Sequence, residues 1–318
     1  MADLPESRLQ SSHAFTNVGI DYGGPILIKS SHLKRAPILK CYIAVFVCLV
    51  TRSVHIELVS SLSTEAFLLT LKRFIARRGN PSVIYSDNAS NFLGAKNQLK
   101  ELHDFFQKNE TRESVKNFAT SCQITWKFIP PRSPHHGGIW EAAIKSTKYH
   151  LLRIMGNSVF TFEELSTILA QIEAVLNSRP IGAMSNDPND LSFLTPGHFL
   201  IGKNLTSYPE KDVSDTCENR LTLWKKCLKI QQQFWKFWKK DYLNRLQNRP
   251  KWFIPHENIK VNDLVLLKDE NTPPLKWPVA RVIETMPGKD NKVRIVKVKT
   301  QDGIFTRSIV KVCPFPNN

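Results

Sequence analysis

Three carboxylates stand where an acid is either costly or useful. Asp21 interrupts an apolar run, Val18-Gly19-Ile20-Asp21-Tyr22, and a lone acid there is expensive to bury. Asp87 follows the short run Val83-Ile84-Tyr85, and Glu141 opens a helical pattern that starts at Ile139. A strand centre, a strand end and a helix start can converge on one edge of a sheet. Carboxylate oxygens are hard ligands that suit Mg²⁺ or Mn²⁺. No His or Cys accompanies all three acids, which argues against zinc. Two such ions, held roughly 3.5–4 Å apart, activate an attacking oxygen and stabilise a leaving one in phosphodiester chemistry. That chemistry also wants cations. Lys145 and Lys148 lie on the helical face of Glu141, at spacings of one and two turns. Plainer roles exist for each residue taken singly. Asp87 suits an Asp-Asn turn, Glu141 suits any helix N-terminus, and the lysines suit solvent. The three acids together, one of them inside a strand, favour a metal site.

The elements that would position these acids follow from periodicity. Phe15 to Ile28 carries a strand signal broken at Gly23-Gly24-Pro25. Ile38 to Val50 is a β-branched and aromatic run, the mark of a central strand buried on both faces. Thr51-Arg52 is a hairpin candidate, and Ser53 to Val59 alternates as a third strand. A helix opens at Ser63-Thr64-Glu65-Ala66 and presents Phe67, Leu68, Leu71, Phe74 and Ile75 on one face. Arg77-Arg78-Gly79-Asn80-Pro81 stops it. Ser82 to Tyr85 is a short strand, a helix is expected over Leu93 to Phe106, and Gln107 to Lys116 is a charged loop. Ile124 to Ile129 alternates as another strand. Pro130 to Gly138 is a loop, and helices cover Ile139 to Met155 and Phe162 to Asn177. This order predicts an α/β domain with one mixed sheet.

Asn186 to Glu218 is irregular and polar, so a linker is expected there. Leu221 to Leu246 predicts one long helix, ended at Arg249-Pro250. Its Trp224, Trp235 and Trp238, interleaved with lysines, suit packing better than base stacking. Beyond Trp252 come four short strands, Asp263–Lys268, Trp277–Glu284, Lys292–Lys299 and Gly303–Ile309. Turn residues separate them, and a small barrel is the simplest closure.

Charge points to a polyanionic partner. The 318 residues carry a net charge of +16. Residues 221–318 hold 20 Lys/Arg against 8 Asp/Glu, so the last third is a concentrated cation. Nucleic acid is the expected partner, ahead of an anionic membrane surface. In the small-strand region Arg281, Lys292, Arg294, Lys297 and Lys299 are the candidate DNA contacts. Lys297 and Lys299 share a strand face. The six cysteines form no CxxC pair, and Cys41 and Cys48 lie in an apolar run, which fits a reduced setting. Met1 to Gln10 is polar and shows no secretory signal. The longest apolar run, Cys41 to Val50, is too short to span a bilayer.

The flanks of the acids carry a resemblance. Val18-Gly19-Ile20-Asp21-Tyr22-Gly23-Gly24-Pro25, Tyr85-Ser86-Asp87-Asn88-Ala89-Ser90-Asn91-Phe92 and Pro134-His135-His136-Gly137-Gly138-Ile139-Trp140-Glu141 resemble the catalytic core of retroelement integrases. The look is nearest to Bel-Pao-type LTR retrotransposons. Leu223-Trp224-Lys225-Lys226, Gln231 to Trp235, Asp263 to Lys268 and Pro274 to Pro278 resemble the tail of their Pol proteins.

That resemblance implies an RNase H-like five-stranded mixed sheet with flanking helices, then a helical linker and a small SH3-like β-barrel. It implies a DDE triad of Asp21, Asp87 and Glu141 holding two Mg²⁺ or Mn²⁺ ions. Asp21 and Asp87 would share one ion, and Asp21 and Glu141 the other. The implied activity is 3′-end processing by water, then strand transfer of the new 3′ hydroxyl into target DNA. The implied partners are element-end DNA and target DNA, with a homo-oligomer assembled on them and no membrane. The implied setting is the nucleus, after a cytoplasmic phase.

The implied divisions are 1–14 as an extension, 15–182 as the catalytic core, 183–250 as linker and long helix, and 251–318 as a DNA-binding domain. Asn88, Ser90 and Asn91 would orient DNA or water, although turn chemistry explains them equally. His135, His136 and Gly137 would touch DNA from a loop whose glycines permit close approach. Two departures from the family stand out. The interval from Asp87 to Glu141 is long, which the 107–116 loop explains, and the upstream His/His/Cys/Cys zinc module is absent. A truncated integrase is expected on that ground, with a non-catalytic DNA-binding remnant as the alternative. A plain nuclease of the same fold is the weaker third reading, because the tail resembles integrase tails.

Overall fold

The computed structural model describes residues 12–33, 35–86, 124–128, 148–156, 158–185, 187–217, 220–247, 258–269 and 271–315. They fall into two compact units, one of Met1–Leu176 with Thr222–Ile230, the other of Asn177–Leu221 with Gln231–Asn318.

The first unit is built on a mixed sheet. Strand β1 (Asn17–Lys29) pairs antiparallel with β2 (Ile38–Cys48), which pairs antiparallel with β3 (Val54–Val59). On its other side β1 pairs in parallel with β4 (Val83–Ser86), which pairs in parallel with β5 (Thr125–Phe128). The order is β3-β2-β1-β4-β5. A short strand the sequence did not announce, β6 (Phe160–Thr161), adds to β1 beyond a register shift between Gly23 and Ile26. The β2 run is buried from Cys41 to Cys48, as a central strand covered on both faces must be.

Strand β3 departs from expectation, since all six of its residues are buried. The alternation is present, with Val54, Ile56 and Leu58 on one face and His55 and Glu57 on the other. The polar face is covered as well, by charged residues of two helices.

Helix α1 (Thr64–Arg78) starts at Ser63, whose hydroxyl accepts from the Ala66 amide, and ends at Gly79, whose φ is 90°. It buries Phe67, Thr70, Leu71 and Phe74. Phe74 stacks on Phe46 of β2 with centroids 4.2 Å apart and meets Phe15 edge-on. Helix α2 (Phe162–Asn177) opens with a reciprocal capping pair. The Thr161 amide donates to Glu164 Oε2 at 2.7 Å, and the Glu164 amide donates to Thr161 Oγ1. Residues 148–155 are helical, and Leu151 and Met155 bury one face of that turn.

The second unit carries a five-stranded antiparallel sheet. Its strands are β9 (Leu264–Leu267), β10 (Val279–Pro287), β11 (Val293–Thr300), β12 (Gly303–Ser308) and β13 (Val312–Pro314), with a 3-10 turn at Ile309–Lys311. Val265, Leu267, Ala280, Val282, Val296, Val298 and Val312 form its core.

The segment expected as a linker is folded into this unit. It contributes a strand, β8 (Phe193–Leu194), which pairs with β7 (Gly182–Ala183) just upstream, and a single helical turn, α3 (His198–Ile201). Ser207 of the segment donates through Oγ to the Pro274 carbonyl, and upstream of the segment Ser178 Oγ accepts from Trp277 Nε1. The long helix α4 (Leu223–Leu246) begins and ends close to its sequence limits. Trp235 and Trp238 are buried and meet the Trp277 ring edge-on, as expected of packing residues. Trp224, by contrast, is exposed.

Candidate active site and basic surface

Asp21 lies at the middle of β1, opposite Val45 of β2. Its neighbours Ile20 and Tyr22 are buried, while its own side chain keeps 20% exposure. The acid therefore sits at the sheet's surface with its strand anchored on both sides. Oδ1 accepts the Tyr22 amide at 2.7 Å. Oδ2 accepts the Lys148 ammonium at 2.8 Å, and the same ammonium donates to the Tyr22 carbonyl. Lys148 precedes Leu151 and Met155 on the buried face of its helical turn, which aims its stem at the sheet.

A glycine makes the approach possible. A Cβ built on Gly23 would come within 2.6 Å of Lys148 Cε, and its three nearest atoms all belong to the Lys148 stem. Gly23 has no left-handed φ to accommodate. Space for the lysine is the constraint there. The sequence marked Lys148 as a phosphate contact; here it is the counter-charge of Asp21.

Strand β4 runs beside β1 and ends at Ser86, which is the register partner of Ile20. Ser86 is buried and accepts from Trp126 Nε1 of β5 at 3.0 Å, which fixes the strand end. Asp21 is the residue after Ile20, and Asp87 is the residue after Ser86. Asp87, Asn88, Ser90, Asn91, His135, His136, Gly137, Glu141 and Lys145 lie outside the described residues, as do the 93–106 helix and the 107–116 loop. Among the described residues no group of three His, Cys, Asp or Glu side chains is placed to hold a metal.

A second charged cluster escaped sequence reasoning. His55 and Glu57 of β3 face Arg73, Arg77 and Arg78 of α1 and Glu173 of α2. His55 Nε2 lies 3.1 Å from Glu57 Oε1, and Nδ1 lies 3.2 Å from Glu173 Oε2. Glu57 also accepts Arg73 Nε at 2.7 Å and Arg77 Nη1 at 2.8 Å. Arg78 pairs with the other oxygen of Glu173. Glu173 in addition accepts the Ile56 backbone amide at 2.8 Å, so this carboxylate caps a donor on β3, the end strand of the sheet order. Burial alone would lower the His55 pKa, but the bonds to Glu173 and Glu57 outweigh it and raise the value above 6.5. Burial alone would raise Glu57, but His55 and Arg73 outweigh it and hold the carboxyl below 4.5. The only sequence signal was the pair of polar residues alternating within β3.

The basic residues of the second unit divide. Lys297 and Lys299 stand on the outer face of β11, because Val296 and Val298 between them point to the core. Lys297 reaches Glu284 and Lys299 reaches Asn189, both at the surface. Lys292 and Arg294 are exposed, with Arg294 on Asp290. Arg281 is different. Only 5% exposed, it donates to the backbone carbonyls of Asn262, Asp187 and Asp190. Placed as a DNA contact by the sequence, it is an internal clamp: it lies on the outer face of β10, opposite the core residues Ala280 and Val282, and the 187–190 loop covers it there.

Comparisons with known proteins bear on both units. Residues 222–315 match a family described as "Family of unknown function (DUF5641)". Comparison with curated proteins gives no match. Among solved structures, the cryo-electron-microscopy structure of a simian T-cell lymphotropic virus intasome in complex with PP2A regulatory subunit B56 gamma is similar at 11% identity. That likeness covers 99% of this chain and 84% of the other, with a TM-score of 0.39. Residues 15–134 match the family described as "Integrase core domain". The first unit, with its mixed sheet and flanking helices, thus has the RNase H-like fold of an integrase core.

Proposed function

We propose that this chain is a retroelement integrase of the Bel-Pao type, acting in metal-dependent 3′-end processing and strand transfer. The observation that carries the reading is the pairing of β1 with β4. It makes Ile20 and Ser86, the residues that precede Asp21 and Asp87 in the sequence, register partners on adjacent parallel strands, inside the segment that matches the integrase core. Asp21 fits a hard cation: its carboxylate is partly exposed and already accepts an ammonium through Oδ2. Asp21, Asp87 and Glu141 would hold two Mg²⁺ or Mn²⁺ ions. When bound, these supply charge neutralisation at the phosphodiester and activation of the attacking oxygen.

The residues of the chain do the positioning. The backbone of β1, locked by β2 and β4, fixes the Asp21 carboxylate, and the Tyr22 amide orients it. Lys148 and Lys145 offer cations to the substrate phosphates. Asn88, Asn91, His135, His136 and Gly137 are the other proposed DNA contacts near the acids. On the second unit Lys292, Arg294, Lys297 and Lys299 supply a sequence-independent grip on the backbone. The partners proposed are element-end DNA and target DNA in the nucleus, with a homo-oligomer assembled on them. The chain would be released from a Pol polyprotein.

The test uses the purified chain, Mn²⁺ and a pre-trimmed labelled duplex, with Asp87→Asn as the control. Joined product from the intact chain and none from the variant is the expected result. No cleaved or joined product, with DNA binding equal in both proteins, would sink the enzymatic reading and favour a DNA-binding remnant.

A further inference from the structure

The Lys148 ammonium occupies oxygen atoms that a hard cation would want. It sits on Asp21 Oδ2 and on the Tyr22 carbonyl, one carboxylate oxygen and one backbone oxygen. The arrangement is not an accident of a loose surface side chain. Lys148 keeps only 23% exposure, its helical turn is anchored by Leu151 and Met155, and Gly23 leaves open the volume that its stem fills. Two separate features, an ion pair and a slot without a Cβ, serve one geometry.

We propose that Lys148 is a built-in counter-cation that holds the Asp21 carboxylate before metal arrives and competes with the divalent ion for it. The inference rests on the reading of Asp21 as a metal ligand. Two charge-assisted bonds to a partly buried ammonium are stronger than an exposed pair. If the docked form accounts for about nine-tenths of the metal-free protein, apparent metal affinity is lowered about tenfold, in proportion to the fraction competent to bind. Displacement then delivers a free ammonium beside the metal site, so the lysine becomes available to a phosphate only once the ion is in place. Lys148 is in this role a positioning residue for the metal-free carboxylate.

The experiment is Mn²⁺ titration of the full chain without DNA, followed by the electron-paramagnetic signal of free Mn²⁺. Wild type is compared with Asp21→Asn, Lys148→Met and Gly23→Ala. Asp21→Asn is expected to weaken binding. Lys148→Met and Gly23→Ala are each expected to tighten it by about tenfold. The first removes the competitor, and the second expels its stem while keeping its charge. Tightening in Lys148→Met alone would mean a through-space charge effect and would overturn the competition. Unchanged affinity in both, with Asp21-dependent binding intact, would overturn the competition while leaving the metal site standing. Absence of any Asp21-dependent binding would overturn both.

Thermal unfolding gives a second measurement that does not depend on Gly23→Ala folding. In chelator Lys148→Met is expected to melt below wild type, and saturating Mn²⁺ is expected to close the gap. A gap that persists unchanged in Mn²⁺ would assign Lys148 a purely structural role.

Discussion

Glu57 offers the sharpest test of how the first unit is held together. Its carboxylate, 6% exposed, receives His55, Arg73 and Arg77. Glu57→Gln keeps the shape and removes the charge, leaving three donors aimed at a neutral amide. Stripping one partner from a fully buried pair costs about 3–5 kcal/mol. Arg73 and Arg77 are 41% and 61% exposed, however, so water screens much of their share. His55 is the partner with no solvent to turn to. We therefore expect a loss of about 2 kcal/mol, between the buried and the surface limits. Arg77→Ala, at the exposed end of the same network, should cost no more than about 0.5 kcal/mol. For a unit of this size the larger loss corresponds to a melting shift of about 4–8 °C. Differential scanning calorimetry of the full chain, with hydrogen exchange at the β3 amides to assign the transition, reads both. Equal effects for the two variants would refute the reasoning, because they would mean that solvent reaches Glu57 as freely as it reaches Arg77.

Three further outcomes follow from the same geometry. Raised His55 stabilises the fold below its ordinary pKa of 6.5 and loses that contribution as pH climbs through the folded value; lowered Glu57 stabilises above 4.5 and loses it as pH falls through its folded value. The first unit should thus melt highest between those two pH values, and His55→Gln should flatten the alkaline decline; an unchanged alkaline slope in that variant would rule His55 out as its cause. Arg281→Leu orphans three backbone carbonyls, so the second unit should lose about 2–3 kcal/mol with no change in the salt dependence of DNA binding. Lys297→Gln with Lys299→Gln should do the reverse, leaving stability intact and flattening the log–log salt slope by about 0.9 for each phosphate left without its lysine. Fluorescence anisotropy across a salt series separates the two, and a slope that shifts equally in Arg281→Leu would restore that arginine to the DNA-facing set.

Among the described residues of the first unit, β1 to β5, α1 and α2 were legible in the sequence, because burial imposes its own period on the chain. The β2 run, the α1 stripe of Phe67, Leu71 and Phe74, and the 162–177 helix are all carried by local periodicity. The place of Asp21 inside an apolar strand was legible for the same reason. Chemistry at one residue, carried by its immediate neighbours, survives in sequence. What did not survive is anything set by residues far apart in the chain. That Lys148 docks on Asp21 depends on a helix aimed across Gly23, and 127 positions separate the two partners. Arg281 looked like its neighbours in a basic tail until the 187–190 loop folded over the outer face of β10 and covered it. His55 and Glu57 were only the polar half of an alternating strand until α1 brought three arginines and α2 one glutamate. Charge counts fix how many cations a segment carries, but only the fold decides which of them are held inside it and which remain at its surface.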